Sequence, residues 1–345
     1  MSEVVDGLPV AVDAMGGDRA PAEIVEGACQ AAKEYGIPVL LIGDPDYLES
    51  LGPQPGVEFA GASQVIAMDE DPGKAVRQKR DSSLVRCAEA VHDGRACAMV
   101  SAGNTGAAMA SALLRIGRLP GVSRPAIATV IPVIGSTPTV LIDSGANVEC
   151  TAAMLVQFAQ MGWAMATERF GIAKPRVGLL SIGEEATKGN ALVKDAHSLL
   201  LGGAAGPEVD FIGNVEGRDV MSDRVDVVVT DGFTGNVVLK TMEGAVKAVV
   251  SAVLDALTSS DAVKEAAKAV LPALAPLAAE FDPDTHGGAV LLGVSGVCVI
   301  SHGSSGARAM VNAIKVAHHA VQDKLVSRIE TVVASSVGVA TGAGS

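Results

Sequence analysis

One unit recurs along this chain and limits what it can fold into: an apolar run, a glycine-containing turn with Asp, Asn, Ser, Thr or His, then a helical pattern. The apolar runs at 8–13, 39–43, 96–100, 177–182, 225–229 and 297–300 are mostly continuous rather than alternating. Continuous apolar strands belong to parallel sheets covered by helices on both faces. Ligands of open α/β sheets bind outside the carboxyl ends of the strands, so the polar turns are expected to meet along one sheet edge.

Two further β-rich runs, 127–133 and 139–142, flank Gly135-Ser136-Thr137-Pro138 and read as a hairpin. The spacing predicts helices opening near Pro21, Pro45, Lys74 and Ser82, then over 105–115 and 152–170, one ending near 257, and one opening at 307. The expected fold class is therefore α/β: a mostly parallel sheet flanked by helices, with an antiparallel excursion. At 345 residues, 49% of them hydrophobic, one α/β catalytic domain over 8–324, or two intimately joined halves, can bury a sizeable core. Only 3% of residues are aromatic, so Ala, Val, Leu and Gly must fill it. A helical projection is expected near 255–285, and the Ala/Gly/Ser/Val tail, 325–345, is expected to be disordered.

Met1 to Asp6 lack the basic and apolar regions of a secretion signal, and no run reaches 18 uninterrupted apolar residues. The five cysteines, Cys29, Cys87, Cys97, Cys150 and Cys298, are scattered through apolar segments and suit reduced thiols. A cytoplasmic protein is expected. The formal charge of −13 disfavours nucleic acid as a partner. Residues 74–124 nevertheless carry nine Lys or Arg against three acids, net +6, leaving −19 over the rest. That stretch is either a docking surface or a solvated face.

Ser101-Ala102-Gly103-Asn104-Thr105-Gly106 joins a strand to a helix. Such a turn aims unpaired backbone N–H groups and the Ser101, Asn104 and Thr105 side chains at one point before the positive end of the helix dipole. An anion fits there. The alternative is an ordinary turn in which Gly103 and Gly106 relax the backbone and Asn104 or Thr105 caps the helix. No G-x-G-x-x-G, P-loop, metal-spaced histidine pair or G-x-S-x-G elbow is present, and His302 precedes Ser305 without an evident orienting carboxylate. Neutral donors, helix starts and the cations Lys79, Lys188 and Lys240 suit binding of phosphate better than attack by a side chain.

Seven stretches occur in order over 10–324: Asp13-Ala14-Met15-Gly16-Gly17-Asp18 with Pro21; Lys79-Arg80-Asp81-Ser82-Ser83-Leu84; the 101–106 turn; Asp143-Ser144-Gly145-Ala146-Asn147; Gly183-Glu184-Glu185 with Lys188-Gly189-Asn190; Asp231-Gly232-Phe233-Thr234-Gly235-Asn236; and Ser301-His302-Gly303-Ser304-Ser305. Together they resemble the phosphate acyltransferase family often called PlsX. The resemblance implies transfer of a long-chain acyl group from acyl carrier protein to inorganic phosphate in bacterial phospholipid synthesis. It also implies a homodimer and the isocitrate/isopropylmalate-dehydrogenase-like fold shared with phosphotransacetylases. No cofactor and no metal are expected. A dehydrogenase of the same fold and a non-catalytic acyl or carrier-protein binding module are the competing readings.

Within that reading, phosphate is expected at Ser101, Gly103, Asn104, Thr105 and Gly106, helped by Ser304 and Ser305. Lys188 is expected to meet developing negative charge, with Asp231 or His302 in proton handling or orientation and Asn104 in the catalytic group. Arg115, Arg118 and Arg124, following the central helix, are the expected docking residues for the acidic carrier protein. Val270, Leu274, Leu277 and Phe281 continue an apolar stripe that faces either the membrane interface or the dimer partner, although Pro272 and Pro276 interrupt any single long helix.

Overall fold

The computed structural model describes residues 7–342. Its first half comprises β1 (Val10–Asp13), α1 (Ala22–Tyr35), β2 (Val39–Gly43), α2 (Pro45–Ser50), β3 (Val57–Gly61), α3 (Pro72–Gln78), α4 (Ser83–His92), β4 (Ala98–Ser101), α5 (Thr105–Ser111) and β5 (Ala126–Ile131). There follow β6 (Thr139–Ile142), α6 (Ala152–Phe170), β7 (Arg176–Leu180), α7 (Ala191–Leu201), β8 (Asp210–Val215), β9 (Val227–Val229) and α8 (Gly232–Leu257). Last come α9 (Asp261–Ala267), α10 (Leu271–Glu280), α11 (Pro283–His286), β10 (Ala289–Leu292), β11 (Val297–Ile300), α12 (Ala307–Gln322) and α13 (Leu325–Gly342).

One 11-stranded sheet runs β3-β2-β1-β4-β11-β10-β5-β6-β9-β7-β8. Along β1, Val10 and Val12 enter one core and Ala11 the other, as expected of a strand covered on both faces. The first face carries a continuous core under α1, α6, α12 and α13. The second face carries two separate cores: one under α3, α4 and α5, the other around Ile131, Leu141 and Val228 under the start of α8. β5 sends Ile127 into the former and Ile131 into the latter, so Thr129, two residues from each, lies between them. The two halves therefore have separate cores on this face, one under α5 and the other under the start of α8.

The antiparallel excursion is present, and it governs the rest of the sheet. β10 is antiparallel to both β11 and β5, and β5 is antiparallel to β6. β9, β7 and β8 inherit the direction of β6 by parallel pairing. Strands β1 to β5 and β11 thus run one way and β6 to β10 the other. This corrects the expectation of a single edge: the turns after β1, β4 and β11 lie at a first edge, and those after β6, β7 and β9 at the opposite, second edge.

The tail expected to be disordered is largely helical. α13 presents Leu325, Ile329, Val332 and Val333 at helical spacing, all buried, and packs on α6. Small residues hid this stripe, but the interface with α6 orders it. The expected helix over 105–115 leaves α geometry after Ser111 for a π-helical turn, Ala112–Ile116. The projection begins inside α8, where Val249, Val253 and Leu254 are exposed. Val270 and Leu277 are also exposed, Leu274 is half-buried, and Phe281 reaches back to the β5–β6 hairpin beside a cavity of about 300 Å³. No helix among the described residues is long and apolar enough to cross a membrane.

Candidate active site

At the first edge three turns are laced together. Ser301 N donates to Ser101 O at 2.8 Å and Asp18 N to Gly303 O at 2.7 Å. Beneath them Asp13, 2% exposed, accepts from Ser101 Oγ at 2.7 Å and from Met15 N at 3.2 Å. Burial pushes the Asp13 carboxyl above its usual range, opposed by hydrogen bonds from Ser83, Ser101, Met15 and Gly16. Ser101 Oγ in turn accepts from Gly103 N at 3.0 Å. A Cβ on Gly16 would overlap the Asp13 carboxylate and lie 2.9 Å from Gly103 N, so only glycine lets these two turns approach.

The expected phosphate donors fall into two groups. Ser101, Asn104 and Ser305 are buried and occupied within the protein. Asn104 Oδ1 caps α5 by accepting from Ala107 N, while its Nδ2 donates to Met68 O at 2.9 Å and Glu70 O at 3.1 Å, tying down the 67–70 loop. Ser305 Oγ lies 2.8 Å from Ser301 Oγ. Gly106 packs against Pro72, whose Cγ would be 2.6 Å from an added Cβ. The second expected helix start, at α12, is filled: the Glu23 carboxylate accepts from Ala307 N. What faces outward is the Thr105 side chain, the Thr105 and Gly106 amides, unpaired among the described residues, and the exposed His302 and Ser304. His302 Nδ1 lies 2.8 Å from Ser304 Oγ.

The second edge is built on a similar knot. Asp143 accepts from the amides of Ile127, Gly145, Ala146 and Asn147 and from Asn147 Nδ2. Burial raises its carboxyl despite these donors. Gly232 N donates to Asn147 O, and a Cβ on Gly235 would overlap the Asp143 carbonyl oxygen, so α8 starts pressed against this knot. Where the halves meet, the buried Ser144 Oγ lies 2.6 Å from Thr129 Oγ1.

Lys188 and Asp231 stand at this second edge, so the four expected catalytic residues do not form one group. Asp231 is the N-cap of α8, accepting from Thr234 N and Oγ1, both at 2.8 Å. Lys188 is exposed with no ion pair among the described residues. The neighbouring Glu184 pairs with Arg224 and Arg218 instead, and the Arg224 hydrogen bond holds its carboxyl below the usual range. The basic segment also divides. Arg115 Nε lies 3.5 Å from Glu89. Arg118 donates to Ser123 O, and Pro125 O accepts from Asn147 Nδ2, which puts Arg118 and Arg124 at the second edge beside the Asp143 knot.

α8 connects the edges, starting at the Asp143 knot and running back across the second face. Asn236 abuts Gly145, and one helical turn on, Lys240 Nζ comes within 3.5 Å of His302 Nε2. Lys240 also pairs with Glu243 at 2.8 Å. On its other side the ring is held to its own turn, His302 Nδ1 accepting from Ser304 N at 3.3 Å. Asn236 was not among the residues singled out for a role, and Lys240 only as one cation among three. The available signal was their four-residue spacing after the Asp231 cap. A separate cavity of about 440 Å³ lies on the first face, lined by Arg169, Lys315, His319 and Asp323 among others.

The family model described as "Fatty acid synthesis protein" matches residues 8–328. The chain is 47% identical over 329 residues to the phosphate acyltransferase of Heliobacterium modesticaldum, covering 94% of this chain and 97% of that protein. It is 46% identical over 327 residues to that of Nostoc punctiforme, covering 93% and 95%. Among solved structures, a phosphotransacetylase from Streptococcus pyogenes aligns with a TM-score of 0.60 at 18% identity, covering 91% of this chain and 94% of that one. A 4-hydroxythreonine-4-phosphate dehydrogenase from Klebsiella pneumoniae aligns at 0.54 and 13% identity, covering 93% and 100%. These last two share the fold.

Proposed function

The chain belongs to the phosphate acyltransferase family, and from that premise we propose that it moves a long-chain acyl group from acyl carrier protein to inorganic phosphate, supplying acyl phosphate for phospholipid synthesis in the cytoplasm. A phosphate oxygen attacks the thioester carbonyl, the C–S bond breaks, and the proton of hydrogen phosphate ends on the carrier thiol. Phosphate is itself the nucleophile, so the protein has to hold it against the thioester and stabilise the oxyanion with fixed donors. The observation that supports this reading is the first edge: outward amides at Thr105 and Gly106, with His302 and Ser304, over a frame whose other polar groups are already paired.

In this reading Ser101, Gly103, Asn104 and Ser305 shape the phosphate seat, and Asp231 caps the helix that forms its opposite wall. Lys188, at the other edge, is left outside the reacting group. We further propose a homodimer in which the α8–α10 projection, with Val270 and Leu277 exposed and Leu274 half-buried beside them, is covered by the partner. Arg118 and Arg124 steer the acidic carrier. The test is incubation with acyl carrier protein thioester and phosphate, with and without nicotinamide cofactor. Release of free thiol together with a hydroxylamine-trappable acyl phosphate is expected. Carrier binding without phosphate-dependent thiol release would leave only a binding module.

A further inference from the structure

We infer that Lys240 is the cation that binds the phosphate substrate, completing from the α8 side a seat whose other donors come from the first-edge turns. The proposal rests on the reading that phosphate is the acyl acceptor, and it adds a residue that the turn motifs do not contain.

A phosphate dianion held by amides and hydroxyls alone lacks charge compensation, and a compact ammonium supplies it as a point charge. Two other cations near the first edge, Lys79 and Arg308, are committed elsewhere. Lys79 donates to Val65 O and pairs with Glu70, holding the 65–70 loop. Arg308 is bonded to Asp282 and Thr285. Arg19 reaches this turn at Gly306, beside the Glu23 carboxylate that already occupies the start of α12. Lys240 Nζ comes within 3.5 Å of His302 Nε2, a side chain of the Ser301–Ser305 turn that faces solvent.

Delivery of Lys240 is fixed by the fold. The Asp231 cap and the close approach of Gly235 to Asp143 set where α8 begins, and the helix carries Lys240 from there to His302. Its ammonium is shared between Glu243 at 2.8 Å and His302 at 3.5 Å. Glu243 is therefore an internal competitor: it parks the ammonium while the seat is open, and phosphate must draw the ammonium away from it. A lysine that served only in a surface i,i+3 pair would give neither effect below.

The experiment measures binding of inorganic phosphate to the full-length protein by equilibrium dialysis with no acyl donor present. Compared with wild type, Lys240→Met should weaken binding at least tenfold and Lys240→Arg less than threefold, while Glu243→Gln should tighten it about two- to fivefold. In steady state, Lys240→Met should raise the phosphate KM and leave the acyl-donor KM within twofold. Lys240 is exposed, so unchanged circular dichroism and melting are expected of every variant. Equal phosphate binding by Lys240→Met and wild type, weaker binding by Glu243→Gln, or no millimolar binding by wild type would each overturn the proposal. Lysine-dependent phosphate binding by a protein that makes no acyl phosphate from carrier thioester would uphold it while removing the acyl-transfer reading.

Discussion

Replacing Ser101 by Ala separates a residue that touches substrate from one that frames the seat. The hydroxyl is fully buried, donates to Asp13 at 2.7 Å and accepts from Gly103 N at 3.0 Å. A hydrogen bond to a charged group contributes about 1.5–3 kcal/mol and a neutral one about 0.5–1.5, so the expected loss where Asp13 is charged is about 2–4 kcal/mol. The loss should depend on pH. Burial already raises the Asp13 carboxyl, so the folded state takes up this proton at higher pH than the unfolded chain does. The charged form therefore costs stability above the folded pKa, and that cost is relieved as pH falls through it. Removing the hydroxyl removes a group that favours the charged form, so the deficit of Ser101→Ala should shrink as pH falls through the folded Asp13 pKa. Urea unfolding over a series of pH values reads this directly, and combination with Asp13→Asn should give a non-additive pair. In the folded variant the phosphate KM should move less than threefold. A deficit below about 0.5 kcal/mol, or one independent of pH, would mean that the hydroxyl does not serve Asp13.

Arg118→Glu with Arg124→Glu should raise the carrier-protein KM at least fivefold at low salt and leave the phosphate KM alone, whereas Arg115→Glu, which loses its Glu89 partner, should lower stability instead. Leu274→Glu with Leu277→Glu should give monomers by light scattering; a stable dimer that no longer sediments with anionic liposomes would assign the projection to lipid. Ile329→Ala, at a side chain 1% exposed in α13, should cost about 2–5 kcal/mol in urea unfolding. Burial alone would raise the Asp226 carboxyl, but the bidentate Arg176 guanidinium and the Arg176 N–H hold it below its usual range. That stability is present above the unfolded value of about 3.9 and is lost as pH falls through the folded one. Asp226→Asn should thus cost about 1–2 kcal/mol at pH 7, kept low because Arg176 is 40% exposed, with the gap from wild type closing below pH 4.

Several elements were legible because their signals are local. Val39–Gly43, Thr139–Ile142, Val297–Ile300 and the long α6 coincide with the apolar runs that announce them. β3 and β10 were not legible. β3 is only half-buried and carries Glu58, while β10 is four residues directly after the Gly287–Gly288 pair. Recognising the β5–β6 hairpin did not reveal that all later parallel strands take their direction from it, since pairing partners are not written in local periodicity. For the same reason the seven motifs marked where polar turns lie but not which ones share an edge. His302 and Ser304 do meet, being two residues apart on one turn; Lys188 and Asn104 do not. The Lys240–His302 contact joins residues 62 apart, and only the path of α8 brings them together.

α8 is one unbroken rod of 26 residues, about 39 Å long, seated at one end on the Asp143 knot and free of the core at the other. Whatever grips the outer end sets the tilt of the whole rod about its seat near Gly235. Lys240 lies about 7.5 Å from that pivot, so a 5° tilt displaces its backbone by about 0.7 Å. That shift is enough to turn a 3.5 Å contact with His302 into a firm hydrogen bond or into none. The projection is therefore also a lever arm, and its surroundings, some 25 Å beyond the lysine along the helix, can trim the geometry at the first edge without touching it.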